Sequence, residues 1–420
     1  LTPVYRKTRL PSGIRVVTES HPRARAVSCG IWVEKGARDE AAALSGVSHF
    51  VEHLVFKRTE NRSAFEIARD MEAVGGELNA FTAREYTCFV THSLREHLRL
   101  SLDVLSDLVC RAKFDASDFT KEKQVVVQEI RMAEDQLEEY IFDLYLAQAF
   151  GKGALGRSIL GTEASISALS LADARDHWRR AYVAENLIVS AAGNLDHAEV
   201  VDLVEALVQP KGAGSPGGPS RARFAPRLKP RLGRVSAAYP KPAEQTHVLM
   251  GLPAASFREP LRFEAYVVNT LLGGGMTSKL YQSIREERGL AYAVYSHLST
   301  FTDAGLMLVY FACEPKRAAQ VVDLASKEIA RLRKNGVSRA ELELYKTQVA
   351  GQILLGSDDV ENRMNSLGVN EMVFGRFRSP DDVMREVAAV SLDSVNAYVE
   401  KYVDAAELGT LLMGAMPKSH

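Results

Sequence analysis

Short runs of strand character open the chain. Residues 14–17 and 27–33 are rich in β-branched and aromatic side chains, and a second pair of such runs follows at 76–81 and 86–90. From about residue 95 the apolar positions fall three and four apart instead of two, which predicts amphipathic helices over about 95–112 and 117–150. The same succession then returns. Strand-like runs at 246–250, 289–294 and 306–311 precede helical patterns at about 316–334 and 338–356. Lys123 recurs as Lys346, Val126 as Val349 and Ile130 as Ile353, a constant offset of 223. This repetition predicts an α+β chain of two homologous α/β halves, each of about 210 residues.

The seam between the copies lies near the midpoint. Residues 210–220 are dominated by Gly, Pro and Ser, and no acidic residue occurs from 210 to 234. Such a stretch buries too little apolar surface to offset its ordering entropy. The expected organisation is therefore 1–208, a Gly/Pro-rich linker at 209–234, and 235–420. The linker's seven basic residues, Lys211, Arg221, Arg223, Arg227, Lys229, Arg231 and Arg234, suit a solvated tether better than a grip on a partner.

Composition narrows the function classes. With 46% hydrophobic and 25% charged residues, the 420-residue chain is neither disordered, collagenous nor a disulfide-stapled miniprotein. The net charge of −1 excludes a global electrostatic attraction to nucleic acid. No apolar run approaches the ~18 residues of a membrane-spanning helix. Cys29, Cys88, Cys110 and Cys313 form no C-x-x-C pair, which fits a reducing compartment. The chain begins with Leu1, and nothing in its first thirty residues has the form of a signal peptide.

The sharpest chemical signal is His49, Glu52 and His53, an H-x-x-E-H pattern. On a helix the two histidines share one face, with Glu52 beside them, an arrangement that offers two imidazoles to one metal and a carboxylate to its water. The flanking Val47, Phe50, Val51, Leu54, Val55 and Phe56 predict a buried helix. Burying two histidines and a carboxylate unpartnered costs several kcal/mol, which a dication offsets. A third ligand is needed, and no further histidine cluster supplies one. Glu122 and Glu129, seven apart on a predicted helix, share a face, so one could bind metal while the other orients a ligand. Two other patterns carry no chemistry. The G-x-G-x-x-G at 151–156 follows a helix and not a strand, so it reads as a helix stop, and 273–279 lacks the Gly-Lys-Ser/Thr ending of a phosphate loop.

The segment 49–59 closely resembles the signature of the pitrilysin-type zinc peptidases, in the branch of the mitochondrial processing peptidase and its bacterial relatives. The resemblance continues through 75–82, Glu122 to Ile130, 140–143, 159–162, 273–280 and 284–292. Arg58 departs from it, standing where relatives usually have glycine. The resemblance implies that His49, His53 and Glu129 hold Zn2+, that Glu52 is general base to a zinc-activated water, and that Glu122 supports the site from behind. Arg285 and Tyr292 match the arginine and tyrosine with which the second half completes the family's catalytic site, donors that a tetrahedral oxyanion needs. Asn79, Ala80 and Phe81 would form the strand edge to which an extended peptide substrate adds.

The implied fold is clam-shaped around a cavity, and the second half, with only His247, His297 and His420, is its metal-free copy. The expected activity is a zinc-dependent endopeptidase cleaving extended or unfolded peptides in that enclosed chamber. The chain carries both sets of catalytic residues, so a homodimer of self-sufficient chains is expected. The alternative is a non-catalytic or partner-dependent peptide-binding subunit of a heteromeric complex. Bacterial cytoplasm is the expected compartment, with the mitochondrial matrix as the alternative.

Overall fold

A computed structural model describes residues 4–210 and 224–416. Along the chain come β1 (Val4–Arg9), β2 (Arg15–Ser20), β3 (Ala26–Val33), α1 (Val47–Val55), α2 (Ala64–Glu72), β4 (Glu77–Thr82), β5 (Thr87–Leu94), α3 (Leu98–Arg111) and α4 (Ala116–Asp135). Then follow α5 (Leu137–Phe150), α6 (Glu163–Ala168), α7 (Leu171–Ala181), β6 (Leu187–Gly193), α8 (His197–Leu207), β7 (Ser236–Pro240) and β8 (Thr246–Pro253). The remainder is α9 (Arg262–Gly273), β9 (Ala291–Thr300), β10 (Gly305–Cys313), α10 (Ala318–Asn335), α11 (Arg339–Gly356), α12 (Val360–Phe374), α13 (Pro380–Ala389), α14 (Leu392–Tyr402) and β11 (Gly409–Gly414).

Two sheets result, in the orders β1-β2-β6-β3-β5-β4 and β7-β11-β8-β10-β9. From β2 and from β7 onward they are copies of one another. Each begins with a parallel pair, β2 with β6 and β7 with β11, and continues with three antiparallel pairings. The offset of 223 is also structural. Lys123 on α4 donates to the Ser167 carbonyl at the end of α6, and Lys346 on α11 donates to the Ala388 and Val390 carbonyls at the end of α13. The two homologous halves read from the sequence are therefore present as repeated α/β topology.

The helix expected over 117–150 is two helices, broken at Gln136. The reason is that the two parts serve different cores. Val126 and Ile130 of α4 pack in the first unit's core, whereas Ile141, Tyr145, Leu146, Ala149 and Phe150 of α5 pack against Leu249, Leu308, Tyr310 and Leu411 of the second sheet. The compact units accordingly exchange segments: one comprises 1–132, 157–228 and 356–378, the other 133–156, 229–355 and 379–420. In the first unit, α12 covers the sheet face formed by Val17, Trp32, Cys88, Val90, Ile188 and Ala192. In the second, α5 does the same for its own sheet.

Both exchanged helices are seated by glycines that let large rings approach the backbone. A Cβ at Gly368 of α12 would stand 2.2 Å from the Trp32 ring, and one at Gly251 or Gly409 would stand 2.4 Å from the Tyr145 hydroxyl. The buried Trp32 indole is fixed by donating to Ser190 Oγ at 2.7 Å, so it has no room to yield. Gly368→Ala is therefore expected to destabilise the protein by about 1–3 kcal/mol through overpacking. A thermal unfolding midpoint equal to wild type would contradict this.

The described end of the connector is not a solvated tether. Arg227 forks onto Asp39 at 2.7 and 3.0 Å and onto Glu85 at 3.2 Å. Phe224 lies edge-on to His177, beneath the cations of Lys35 and Arg180. The partners that ordinary composition could not specify are buried carboxylates of the chain itself. Residues 211–223, the Gly/Pro-rich part of the expected linker, lie outside the described residues.

Candidate metal centre

The first unit's core places α1 and α4 on one face of its sheet, with Phe50 of α1 edge-on to Phe119 of α4 at 5.2 Å. The apolar residues read around the motif do bury α1: only His53 of its nine residues escapes full burial. His49, Glu52 and His53 project from the turns that face α4, and Glu122 and Glu129 project back from it two helical turns apart.

These side chains converge. One ligand atom from each of His49, His53 and Glu129 lies within 4.8 Å of the others. Nε2 of His49 is 3.6 Å, and Nε2 of His53 3.4 Å, from the Glu129 carboxylate oxygens. Behind them, Glu122 takes His53 Nδ1 at 2.8 Å and Lys57 Nζ at 2.8 Å. Thr82 Oγ1, from β4, donates to Glu52 Oε2 at 2.5 Å.

Electrostatics differ from side chain to side chain. Burial, aided by the charge of His53, pushes His49 down to about 3, so it is a neutral imidazole with a lone pair to offer. For His53 burial acts in the same direction, but the Glu122 hydrogen bond and the charges of Glu129, Glu122 and Glu52 outweigh it and raise its pKa. Burial raises Glu52, against the Thr82 hydrogen bond, and raises Glu129, with the nearby Glu122 charge adding to it. Burial also opposes ionisation of Glu122, yet the bonds from His53 and Lys57 hold its carboxyl below the usual range.

The donor set fits a dication. Nδ1 of His49 and Oε2 of Glu129 are buried without a hydrogen-bond partner. Ligand atoms each 2.0–2.2 Å from a tetrahedral zinc would be about 3.3–3.6 Å apart, the spacing at which both imidazoles already stand from Glu129. Two imidazoles and one carboxylate also match the chemistry of a zinc site with an open fourth position.

The other expected residues are placed as follows. β4 is an edge strand, so Asn79, Ala80 and Phe81 line a free sheet margin beside α1. The Ala80 N–H is taken by Asn79 Oδ1 at 2.8 Å, and the Phe81 ring lies edge-on to Trp32 and Tyr86. Arg285 belongs to the second unit, on a π-helical turn (Tyr281–Glu286) with its guanidinium 5.0 Å over the Tyr281 ring. Tyr292, at the start of β9, is 61% exposed. Arg58 turns away from the ligands toward Asp115 at 3.4 Å.

Three residues that touch this group or the helix carrying it were not read as functional from the sequence. Thr82 is an inward-facing polar residue two beyond Ala80, and that alternation was the available signal. Lys57 lies one turn beyond His53, on its face. Glu40 has no such periodic relation to the motif.

Residues 15–163 match the pattern described as "Insulinase (Peptidase family M16)", and residues 168–349 match "Peptidase M16 inactive domain". An uncharacterized zinc protease of Mycobacterium tuberculosis is 39% identical over 416 residues, covering 97% of this chain and 93% of that one. The chain belongs to peptidase family M16. Another M16 relative, an uncharacterized zinc protease of Bacillus subtilis, is 33% identical over 385 residues, 92% of each chain. In three dimensions this M16 chain superposes on a protease from Helicobacter pylori with a TM-score of 0.88 at 19% identity, over 98% of this chain and 100% of that one. A Pseudomonas fluorescens structure titled as the M16 inactive domain also gives 0.88, at 18% identity over 99% of both. The pattern described as inactive lies wholly in a part of the chain without H-x-x-E-H. Among the described residues, no helix is long and apolar enough to cross a membrane.

Proposed function

We propose that this M16 chain is a zinc-dependent endopeptidase acting on extended or unfolded peptides. The observation that carries the reading is the convergence of His49, His53 and Glu129 within 4.8 Å, with Glu52 beside them. Those three residues would hold the zinc, which when bound supplies Lewis acidity toward a peptide carbonyl and acidifies water.

The chain's own residues do the rest. Glu122 accepts the Nδ1 proton of His53, so that Nε2 presents its lone pair to the metal, and Lys57 holds Glu122 in place. Thr82 occupies Oε2 of Glu52, which assigns proton transfer to Oε1. That atom takes a proton from the attacking water and returns it to the departing amine nitrogen as the C–N bond breaks. A peptide adding along β4 exchanges the Asn79 side chain for its own carbonyl at Ala80 N–H, so recognition is by backbone with little sequence preference. Arg285 and Tyr292 enter this reading by resemblance, as oxyanion donors, and Arg285→Lys and Tyr292→Phe test them in the same assay.

The test uses the single purified chain, a quenched peptide and a chelator. About one zinc per chain is expected, together with chelator-sensitive cleavage. His49→Ala should lose the metal, and an unchanged zinc content in that variant would refute the site. Zinc without cleavage by the lone chain would instead favour a partner-dependent or non-catalytic subunit.

A further inference from the structure

The metal-facing helix α1 has only nine residues, and a helix that short has little stability of its own. Its position is therefore set by what holds its ends. Its N-cap is Gly46, at φ +91°, which offers no capping side chain. The cap comes from Glu40 instead. Oε2 of Glu40 accepts the Gly46 N–H at 2.8 Å and Oε1 accepts the Ser48 N–H at 2.8 Å.

This carboxylate is 6% exposed and sits where the helix dipole favours an anion. Ser48 is held from a second side, its hydroxyl meeting Nε2 of His177 on α7 at 3.2 Å. The backbone carrying Glu40 is itself fixed, because Arg157 donates to the carbonyls of Ala37, Arg38 and Glu40 at 3.4, 3.3 and 2.8 Å. A third side is closed by Leu160 and Gly161, since a Cβ at Gly46 would lie 2.6 Å from the Leu160 carbonyl.

Two acceptors on two donors two residues apart, one at the N-cap and one in the first turn, fix rotation as well as height. Side-chain tips lie about 5–6 Å from a helix axis, so a rotation of about 15° displaces them by about 1.4 Å. Metal ligands tolerate about 0.2 Å. His49 and His53 ride on α1, whereas Glu129 rides on α4, so any rotation of α1 separates the ligands. Resting on the zinc reading above, we propose that Glu40, together with His177 acting through Ser48, is a positioning residue of the metal site. It sets the rotation of α1 and so keeps both imidazoles in register with Glu129.

The test is Glu40→Gln, which keeps the shape but turns an amide N–H toward one of the two helix donors. Zinc affinity is measured by competition with a chromophoric chelator, at a temperature where circular dichroism shows the variant folded. The visible spectrum of the cobalt-loaded protein reports ligand geometry. A dissociation constant raised about 10–100-fold with an altered cobalt band is expected, as for residues that orient ligands. Wild-type affinity and spectrum combined with a lower unfolding midpoint would make Glu40 a plain helix cap and overturn the proposal. If Glu40→Gln does not fold, Glu40→Asp takes its place, because it keeps the charge and shortens the reach to the Gly46 and Ser48 N–H donors. A raised dissociation constant with an altered cobalt band supports the proposal, and wild-type affinity and spectrum overturn it. The two readings fail separately: His49→Ala that keeps its zinc sinks the metal site, whereas His49→Ala without zinc beside a Glu40→Gln of normal affinity sinks only the positioning role.

Discussion

Glu52→Gln should keep its zinc and slow peptide hydrolysis by about 10²–10⁴-fold, the usual range for a lost general base. The amide preserves size and still accepts from Thr82, so the fold and the three metal-facing groups are undisturbed. What disappears is a basic oxygen beside the proposed metal site, on a group whose burial already raises its proton affinity. A carboxylate raised from its ordinary value is better matched to water deprotonation than an exposed one. Metal content and kcat measured on the same preparation separate the possibilities. Activity within a few-fold of wild type would remove Glu52 from the proton path.

The second large effect concerns stability. Arg363→Met is expected to cost about 3 kcal/mol, because it leaves the buried Glu19 carboxylate without its main partner. Arg363 on α12 donates to Glu19 on β2 through Nε at 3.1 and 3.3 Å and through Nη2 at 2.5 Å, with both side chains buried. His21, at 3.1 Å, still reaches Glu19 in the variant and keeps the cost at the low end of that range. Glu19→Gln combined with Arg363→Met should recover much of the loss, since no buried charge is then left alone. The pH dependence has a definite sign. Burial opposes ionisation of Glu19, but the hydrogen bonds from His21 and Arg363 outweigh it and lower its pKa. The stabilisation is then complete above the unfolded carboxyl value near 4 and fades as pH falls through the lower folded value. The deficit of Arg363→Met should shrink in that acid range, and a deficit independent of pH would contradict the assignment.

Much of the site was legible because helical periodicity is local. His49, Glu52 and His53 declare a shared face by spacing alone, as do Glu122 and Glu129, and the structure brings all five to one place. The sequence could not say which glutamate joins the two imidazoles. That depends on which turn of α4 lies opposite α1, a tertiary fact supplied at first only by resemblance. The strand-like runs likewise identified β3, β4, β5, β8 and β10 and the first parts of β2 and β9. They missed β1, whose exposed Arg and Lys side chains mask its alternation, β6 and β11, whose largely apolar runs carry no period, and the short edge strand β7. The break at Gln136 left no mark either, since both flanking segments favour helix and only their separate cores require the turn. Glu40 was invisible for a related reason: it acts from an irregular segment, where no period links it to the helix it caps.

The exchange of α12 has a consequence for how this polypeptide is made. Ribosomes deliver the chain from the amino end, and most N-terminal domains fold as they emerge. Here the last strand of the first sheet, β6, emerges long before α12, the helix that covers its second face. At 5–20 residues per second the intervening roughly 170 residues take on the order of ten to thirty seconds. For that interval Trp32, Cys88, Val90 and Ile188 form an uncovered apolar face on a nascent chain. The order of synthesis thus sets a window in which this apolar face is open to solvent, and it closes only when α12 has emerged.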